Sequence, residues 1–206
     1  MNSKILAKIN NFAKNRLIEL FGIILVIAGF FLLASIVSYD PSDPNFIYSS
    51  ENTEIKNIGG FYGSVASDFL LQAFGLIAFF LVINFLYWGF KMTTKKVIDN
   101  FIKKIFFTLI YLILGTYALN ILHKDSFWLI DNGNGGFLGQ AIKDNVYYFA
   151  PLIENNYALY IIIILALIFF ILSLDLKFSE IQKLFSFPFF IFKKILNLFK
   201  KDEPKE

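Results

Sequence analysis

The sequence contains no cysteine and a single histidine, His123. Without cysteine the chain cannot form a disulfide, a thiolate zinc site or a cysteine nucleophile. A lone histidine has none of the partners that a catalytic triad or a zinc centre requires. The chain also lacks the G-x-x-x-x-G-K-[ST] motif that holds nucleotide phosphates, and it has no EF-hand spacing of carboxylates. We therefore predict that this chain is not an enzyme, with no catalytic residues, no cofactor and no metal site.

Charge is also scarce, since charged residues make up 17% of the chain and hydrophobic residues 57%. Soluble domains carry about 25% charged residues, so the composition excludes a disordered chain and disfavours a soluble one. The apolar residues gather into four runs, 17–37, 69–90, 105–122 and 158–174. Each approaches the roughly 20 residues that cross a bilayer. The first run exceeds the length of a signal-peptide core, which favours a permanent anchor.

The predicted fold class is therefore an all-α integral membrane protein with four transmembrane helices packed as a compact bundle. Sixteen of the 19 basic residues flank the runs on one side, before the first, between the second and third, and after the fourth. This asymmetry predicts that both termini are cytoplasmic and that loops 38–68 and 123–157 face outward. We divide the chain into a cytoplasmic amphipathic segment, 1–16, a transmembrane domain, 17–174, and a second amphipathic segment with the start of a linker, 175–206. Apolar spacing also predicts a short interfacial helix over 140–152.

Several polar and small residues admit two interpretations. Asn84 and Gln72, in the second run, suit hydrogen bonds between helices better than ion conduction. Gly22 and Gly29 share a helix face and suit close packing, either within the fold or between copies of the chain. The flanking lysines are typical of membrane proteins, and we expect the chain to contact the lipid bilayer and to bind no nucleic acid sequence specifically. A small transporter or channel subunit is the alternative function that these features leave open.

The loops carry a recognisable series of motifs. The segment 38–44, SYDPSDP, resembles an element of the FtsK/SpoIIIE DNA translocase family. The entry into the second run is similar to that of the same family at Asn57, Gly60, Gly63, Asp68, Phe74, Gly75 and Ala78. Before the fourth run, Gly135-Gly136-Phe137-Leu138-Gly139 also resembles an element of this family. The positions that carry the resemblance, or are candidates for partner contact, are Tyr39, Asp43, Pro44, Asn57, Gly60, Phe61, Tyr62, Gly63, Asp68, Gly75, Gly135, Gly136 and Gly139. Ser64 departs from the family pattern, where alanine is usual, as do Pro151 and the polar residues after it.

The resemblance covers about residues 16–175 and implies a function. In that family this region is the membrane domain that targets the protein to the division septum of the bacterial inner membrane and contacts divisome proteins. The family's ring-shaped motor implies self-association. The motor and the DNA-reading domain have no counterpart in this sequence. The chain is therefore expected to be a membrane anchor and assembly module, either a short protein or a fragment of a longer translocase.

The glycine-rich end of the first outer loop is the candidate functional surface. Gly59, Gly60 and Gly63 permit positive φ angles and close backbone approach ahead of the second helix. Asp68 is expected to cap the start of that helix and to complement its dipole. Phe61 and Tyr62 are then either part of a turn or a docking surface for a partner outside the membrane.

Overall fold

A computed structural model of the 206-residue chain describes residues 3–46, 54–96, 99–123, 129, 132–149, 156–177, 180, 182, 186 and 193. The chain divides into two units, residues 1–174 and 175–206. The first unit contains α1 (Ser3–Val37), α2 (Gly60–Phe74), a 3₁₀ turn (Gly75–Ile77), α3 (Ala78–Lys95), α4 (Phe101–Leu122), α5 (Gly136–Phe149) and α6 (Asn156–Leu174). The described residues include no strand, so the all-α prediction is confirmed.

Four helical stretches are long and apolar enough to cross a membrane: Ile5–Val37, Gly60–Lys95, Phe101–Leu122 and Tyr157–Leu174. They contain the four predicted runs, and the prediction of four transmembrane helices is confirmed. We call the end of the bundle that holds residues 38–46, 54–59 and 132–139 the loop end. The opposite end, which holds residues 91–96 and 99–104, is the lysine end.

Helix α1 joins the predicted amphipathic segment 1–16 to the first predicted span without a break. Its 35 residues measure about 50 Å at 1.5 Å per residue, whereas the hydrocarbon core of a bilayer is about 30 Å thick. The first turns therefore extend beyond the hydrocarbon or lie tilted at its edge. Ile9 and Phe12 are exposed there, as are the apolar side chains Leu17 and Ile24 further along the helix.

The second predicted span differs from the structure at its beginning and in its middle. Helix formation starts at Gly60 instead of Phe69, because the glycine-rich segment predicted as loop forms the first turns of α2. The helix is then interrupted at Gly75, which has a φ of 57°. A side chain on Gly75 would overlap the carbonyl oxygen of Asn134, so this close approach requires glycine.

Small residues allow α1 and α3 to pack closely. A Cβ on Gly22 would lie 2.8 Å from the carbonyl oxygen of Gly89, and a Cβ on Gly29 would lie 2.6 Å from Leu86. Both glycines of α1 thus face α3, which assigns them to packing within the fold. The second close pair is α4 and α6, while α5 contacts both α2 and α4.

A buried polar cluster joins three helices within the apolar region. The Asn84 amide donates to Thr108 Oγ1 at 3.1 Å and to Ser173 Oγ at 2.8 Å, and its carbonyl accepts from the Tyr111 hydroxyl at 3.2 Å. Trp88 Nε1 donates to the carbonyl oxygen of Ser173 at 2.8 Å. These bonds connect α3 with α4 and α6, and they confirm the interpretation of Asn84 as an interhelical contact.

The second unit, residues 175–206, is described over a short stretch. Asp175 has a φ of 53°, and the backbone N–H of Lys177 donates to Glu180 Oε2 at 3.0 Å while that of Glu180 donates to the Lys177 carbonyl at 2.8 Å. Within the predicted amphipathic segment and linker start, 175–206, the structure describes positions 175–177, 180, 182, 186 and 193, and the others lie outside the described residues.

Candidate functional site

The predicted motif residues of the first loop meet in one hydrogen-bonded network at the loop end. Its first element is Asp43, which is 3% exposed. One carboxylate oxygen accepts the backbone N–H of Lys56 at 2.9 Å and the other accepts that of Asn57 at 2.8 Å. The carboxylate thus joins the two ends of the loop, because the backbone groups on which it acts are 13 and 14 residues away. The Asn57 amide is buried, so this bond satisfies a donor that would otherwise lack a partner.

Asn57 is the second element and binds the loop to both flanking helices. Its amide nitrogen donates to the carbonyl oxygen of Ser35 at 2.8 Å and to Ser67 Oγ at 3.2 Å, and its Oδ1 accepts from the Gly59 N–H at 2.9 Å. The last carbonyls of a helix have no partner within the helix. Asn57 therefore caps the carboxyl end of α1 from a distance of 22 residues along the chain.

The glycines at the start of α2 serve different purposes. Gly60 has a φ of 62° and a Cβ there would meet nothing within 4 Å, so its requirement is conformational, as predicted. Gly63 lies inside the helix, and a side chain there would overlap Asn57 Oδ1 and come within 2.8 Å of Ser35 Oγ. Gly59 has a negative φ of −78°. Close packing around Asn57, and not backbone conformation, thus explains Gly63.

Asp68 does not cap a helix start, and that prediction is wrong. Since α2 begins at Gly60, Asp68 lies within the helix, two turns from its beginning. Its carboxylate accepts the hydroxyl proton of Tyr39 at 3.2 Å and the amide proton of Asn45 at 3.0 Å. Asp68 is therefore a cross-link between α2 and the first loop.

A chain of polar contacts continues from Asp68 to the second loop. Gln72 Nε2 donates to the Tyr39 hydroxyl oxygen at 3.3 Å, and Asn132 Nδ2 donates to Gln72 Oε1 at 2.6 Å. Gln72, predicted to bond between helices, thus connects α2 with both loops. Beneath this chain lies an apolar cluster in which Leu71 and Leu129 are fully buried. The polar chain and the apolar cluster together bring the two loops into one assembly, which we call the loop-end network.

The glycines of the second loop connect the loop-end network to α4 and to the interruption at Gly75. Gly136 has a φ of 65°, and a Cβ there would lie 2.5 Å from the backbone nitrogen of Gly75. The N–H of Leu76 donates to the carbonyl oxygen of Asn134 at 2.9 Å, which satisfies a donor released by the helix interruption. Side chains on Gly135 and Gly139 would both overlap the Thr116 carbonyl region of α4. Two motifs that are separate in the sequence, at 75 and at 135–139, therefore contact each other.

Several members of the loop-end network were missed by sequence reasoning, and most of them are small polar residues. Ser64 Oγ donates to the carbonyl oxygen of Pro44 at 2.7 Å. Ser38 Oγ accepts the Ile58 N–H at 3.0 Å. The departure from the usual alanine at position 64 thus adds a bond to the Asp-Pro turn. The available signal was the presence of serine and asparagine at the inner faces of the flanking helices, where apolar residues would be expected.

The loop also carries an exposed ion pair. Lys56 Nζ lies 2.7 Å from Asp40 Oδ2, and Asp40 also accepts from the Ser42 backbone N–H at 2.9 Å. The hydrogen bond from Lys56, together with those from Ser42, lowers the pKa of Asp40 to about 2. The same contact raises the pKa of Lys56. This corner of the loop is ionised at neutral pH and closes the turn that precedes Asp43.

Phe61 and Tyr62 lie outside the network and face away from it. Phe61 is 41% exposed and Tyr62 is 79% exposed, and their rings contact edge to face at a centroid distance of 5.9 Å. Phe69 is 65% exposed two turns further along the same side of α2. We call these three residues the aromatic face of α2. The network holds the backbone of α2 in place while the aromatic face remains available for contact.

The chemistry that this arrangement supports is structural. Among the residues that the structure describes, no group of three or more histidine, cysteine or acidic side chains is arranged to hold a metal ion. The carboxylates of Asp40, Asp43 and Asp68 are each occupied by protein donors. The site is a hydrogen-bonded cap beside an exposed aromatic surface.

Comparison with known proteins identifies the family. The family model for the 4TM region of DNA translocase FtsK/SpoIIIE matches residues 14–185. A DNA translocase FtsK of Rickettsia bellii is 28% identical over 84% of this chain and 22% of its own length. Those of Rickettsia typhi and Mesorhizobium japonicum are 33% and 27% identical, over 68% and 65% of this chain and 18% and 15% of their own lengths.

The chain thus spans less than a quarter of the length of these relatives. No solved structure matches it. The match to the family model covers the helices and both loops in which the motif residues meet. The chain therefore belongs to the FtsK/SpoIIIE family, and it contains the four-transmembrane region of that family.

Proposed function

We propose that this chain is the membrane anchor and assembly module of a bacterial DNA translocase that acts in cell division and chromosome segregation. The relatives are DNA translocases, and the chain matches them over their membrane region. Anchoring follows from four apolar helices with outward-facing apolar side chains. Chemistry on ATP and DNA is assigned to the remainder of a translocase, because this chain has no P-loop sequence.

We further propose an inner-membrane orientation in which both termini and the lysine end are cytoplasmic. The lysine end carries five lysines, in the last turns of α3, the connection after it and the first turn of α4, whereas the two outer loops together contain three. These five are Lys91, Lys95, Lys96, Lys103 and Lys104. Cytoplasmic loops of membrane proteins carry such an excess. Reporter fusions at residue 206 and at residue 51 should read cytoplasmic and external, respectively. An external reading at residue 206 would overturn this orientation.

The observation that carries the assembly role is the contrast between the loop-end network and the aromatic face of α2. Hydrogen bonds accepted by the carboxylates of Asp43 and Asp68 and donated by the amide of Asn57 hold the first loop against α1 and α2. Phe61 and Tyr62, by contrast, are exposed and held next to each other. Aromatic side chains on a rigid support bury a large area with little entropic cost, which makes them effective contact residues. We infer that this face binds a membrane protein of the division apparatus.

The alternative, a transporter or channel subunit, is less well supported. A conduction path needs polar groups that face a cavity or a water-filled channel within the membrane. The amide of Asn84 is instead fully buried, and its oxygen and nitrogen are bonded to side chains of α4 and α6. Such saturated contacts are typical of helix packing.

The test of the assembly role separates folding from docking. In cells that express the chain fused to a fluorescent protein, the double variant Phe61→Ala/Tyr62→Ala should keep a normal membrane level and lose its enrichment at the septum. The variant leaves the loop-end network untouched, because neither side chain takes part in it. The matched control is Phe106→Ala, which removes a phenylalanine from the apolar stretch of α4. Phe106 is 59% exposed, a value between those of Phe61 and Tyr62. Septal enrichment of the double variant equal to that of the control would refute docking through this face.

A further inference from the structure

A groove of about 830 Å³ lies at the lysine end, between the first half of α1 and the connection that follows α3. Its lining changes character along α1. Residues 10–15 contribute asparagine amides and the ammonium group of Lys14, whereas residues 17–24 contribute leucine, isoleucine and phenylalanine side chains. Lys96 and Asp99 line the other wall. A surface that is polar at one end and apolar at the other suits an amphiphilic ligand.

The groove has the length, and the position relative to the membrane surface, that are expected of a lipid-binding site. Asn10, Lys14, Leu17, Phe21 and Ile24 are spaced four, three, four and three residues apart and thus share one face of α1. This stripe is about 21 Å long at 1.5 Å per residue. All five residues are exposed. The change from polar to apolar side chains coincides with the beginning of the apolar run, where a membrane helix passes from headgroups into hydrocarbon.

The charges at the groove favour a ligand with one negative charge. Lys96 Nζ lies 3.4 Å from Glu19 Oε2, and Arg16 binds the same carboxylate oxygen at 2.6 Å. Glu19 therefore holds the Lys96 ammonium beside α1 while Arg16 offsets the acidic charge. Among the lining residues Lys14 and Lys96 are cationic and Asp99 is anionic, which leaves one net positive charge. A lipid that carries a single phosphodiester and no amine complements this balance.

We propose that the groove binds one molecule of an acidic phospholipid with a single negative charge, of the phosphatidylglycerol type. The phosphate lies between Lys14 and Lys96, where two ammonium groups can bind it. The headgroup hydroxyls reach the amides of Asn10 and Asn11, which both donate and accept hydrogen bonds. One acyl chain follows Leu17, Phe21 and Ile24 into the bilayer. This site is independent of the aromatic face and lies at the opposite end of the bundle.

Native mass spectrometry of the full chain in detergent tests the proposal. Titration with phosphatidylglycerol should give a saturable one-to-one adduct, and phosphatidylcholine with the same acyl chains should bind at least about fivefold more weakly, since it offsets its own phosphate charge. Lys14→Gln should weaken phosphatidylglycerol binding about fivefold, and Lys14→Gln/Lys96→Gln about 20-fold. The single variant keeps the contact between Lys96 and Glu19.

The matched control is Lys8→Gln/Lys103→Gln, which removes the same charge from positions that do not line the groove. It should change the affinity less than about twofold. Asp99→Asn removes a carboxylate from the groove and should tighten phosphatidylglycerol binding, a gain that misfolding cannot produce. Equal losses in the two double variants would show attraction by overall charge alone and overturn the site. Equal affinity for the two lipids, or no gain in Asp99→Asn, would also overturn it.

Discussion

Asn57→Ala should destabilise the loop end more than truncation of the neighbouring exposed Lys56. The change removes a donor from the Ser35 carbonyl and from Ser67 Oγ, and an acceptor from the Gly59 N–H. Asn57 is 4% exposed, so water does not readily replace these partners. Each buried polar group left without a partner costs about 1–3 kcal/mol. Because Ser67 Oγ also donates to the Ser64 carbonyl, we count two such groups and expect a loss of about 2–6 kcal/mol.

The measurement is reversible unfolding of the purified chain in mixed micelles, followed by circular dichroism. Lys56→Ala is the matched control, because it changes the neighbouring residue and removes an exposed ion pair with Asp40. Such pairs contribute about 0–1 kcal/mol. Asn57→Asp should be as damaging as Asn57→Ala, since a carboxylate cannot donate to the Ser35 carbonyl. A loss for Asn57→Ala no greater than that for Lys56→Ala would refute the reasoning, because the network would then contribute nothing to stability.

Three further predictions concern other parts of the chain. Gly75→Ala should lower the free energy of unfolding by at least about 3 kcal/mol, because the new side chain would overlap the Asn134 carbonyl. Gly60→Ala should lower it by about 1–2 kcal/mol, because only the positive φ of Gly60 disfavours alanine. Equal losses in the two variants would contradict this difference. Asn84→Leu should lower the free energy of unfolding in the same assay by about 1–2 kcal/mol, because the interhelical hydrogen bonds are lost. An unchanged free energy of unfolding would show that the polar cluster is dispensable. Because the pKa of Asp40 is low in the folded chain, its ionised form stabilises the fold above pH 4, and this contribution should disappear as the pH falls from about 4 to about 2. Lys56→Ala should reduce the change in the free energy of unfolding over that pH interval. An unchanged dependence on pH in this variant would refute the prediction.

Span positions could be predicted from the sequence because hydrophobic length alone determines them. A run of apolar residues has no stable alternative in a bilayer, so 105–122 and 158–174 lie within the helices Phe101–Leu122 and Asn156–Leu174. Hydropathy cannot detect a helix that begins before the apolar run. Residues 60–68 contain glycine, serine and Asp68, yet they form the first turns of α2, because Ser64, Ser67 and Asp68 bond to residues of the first loop.

The role of Asp68 shows why local rules fail at the site. A carboxylate just before an apolar run is the usual sign of a helix start, and capping was the natural prediction. Its actual partners are Tyr39 and Asn45, 29 and 23 residues earlier in the chain. No periodicity within one segment contains that information. The partners become identifiable when the two loops are known to fold against each other.

The glycines are a second example of this limit. The sequence predicted that glycine is needed at these positions, but it did not predict which groups these residues contact. Gly75 lies within an uninterrupted apolar run, and in the sequence it stood out as a residue of the family motif. The structure shows it opposite Gly136, 61 positions later, with both residues at positive φ. A helix in a membrane can be interrupted only where other protein groups satisfy the released backbone donors, and the Asn134 carbonyl does this for the Leu76 N–H. The interruption and the second loop therefore depend on each other. A substitution of either glycine should disturb the loop-end network as a whole, although glycine has no side chain that could take part in its hydrogen bonds.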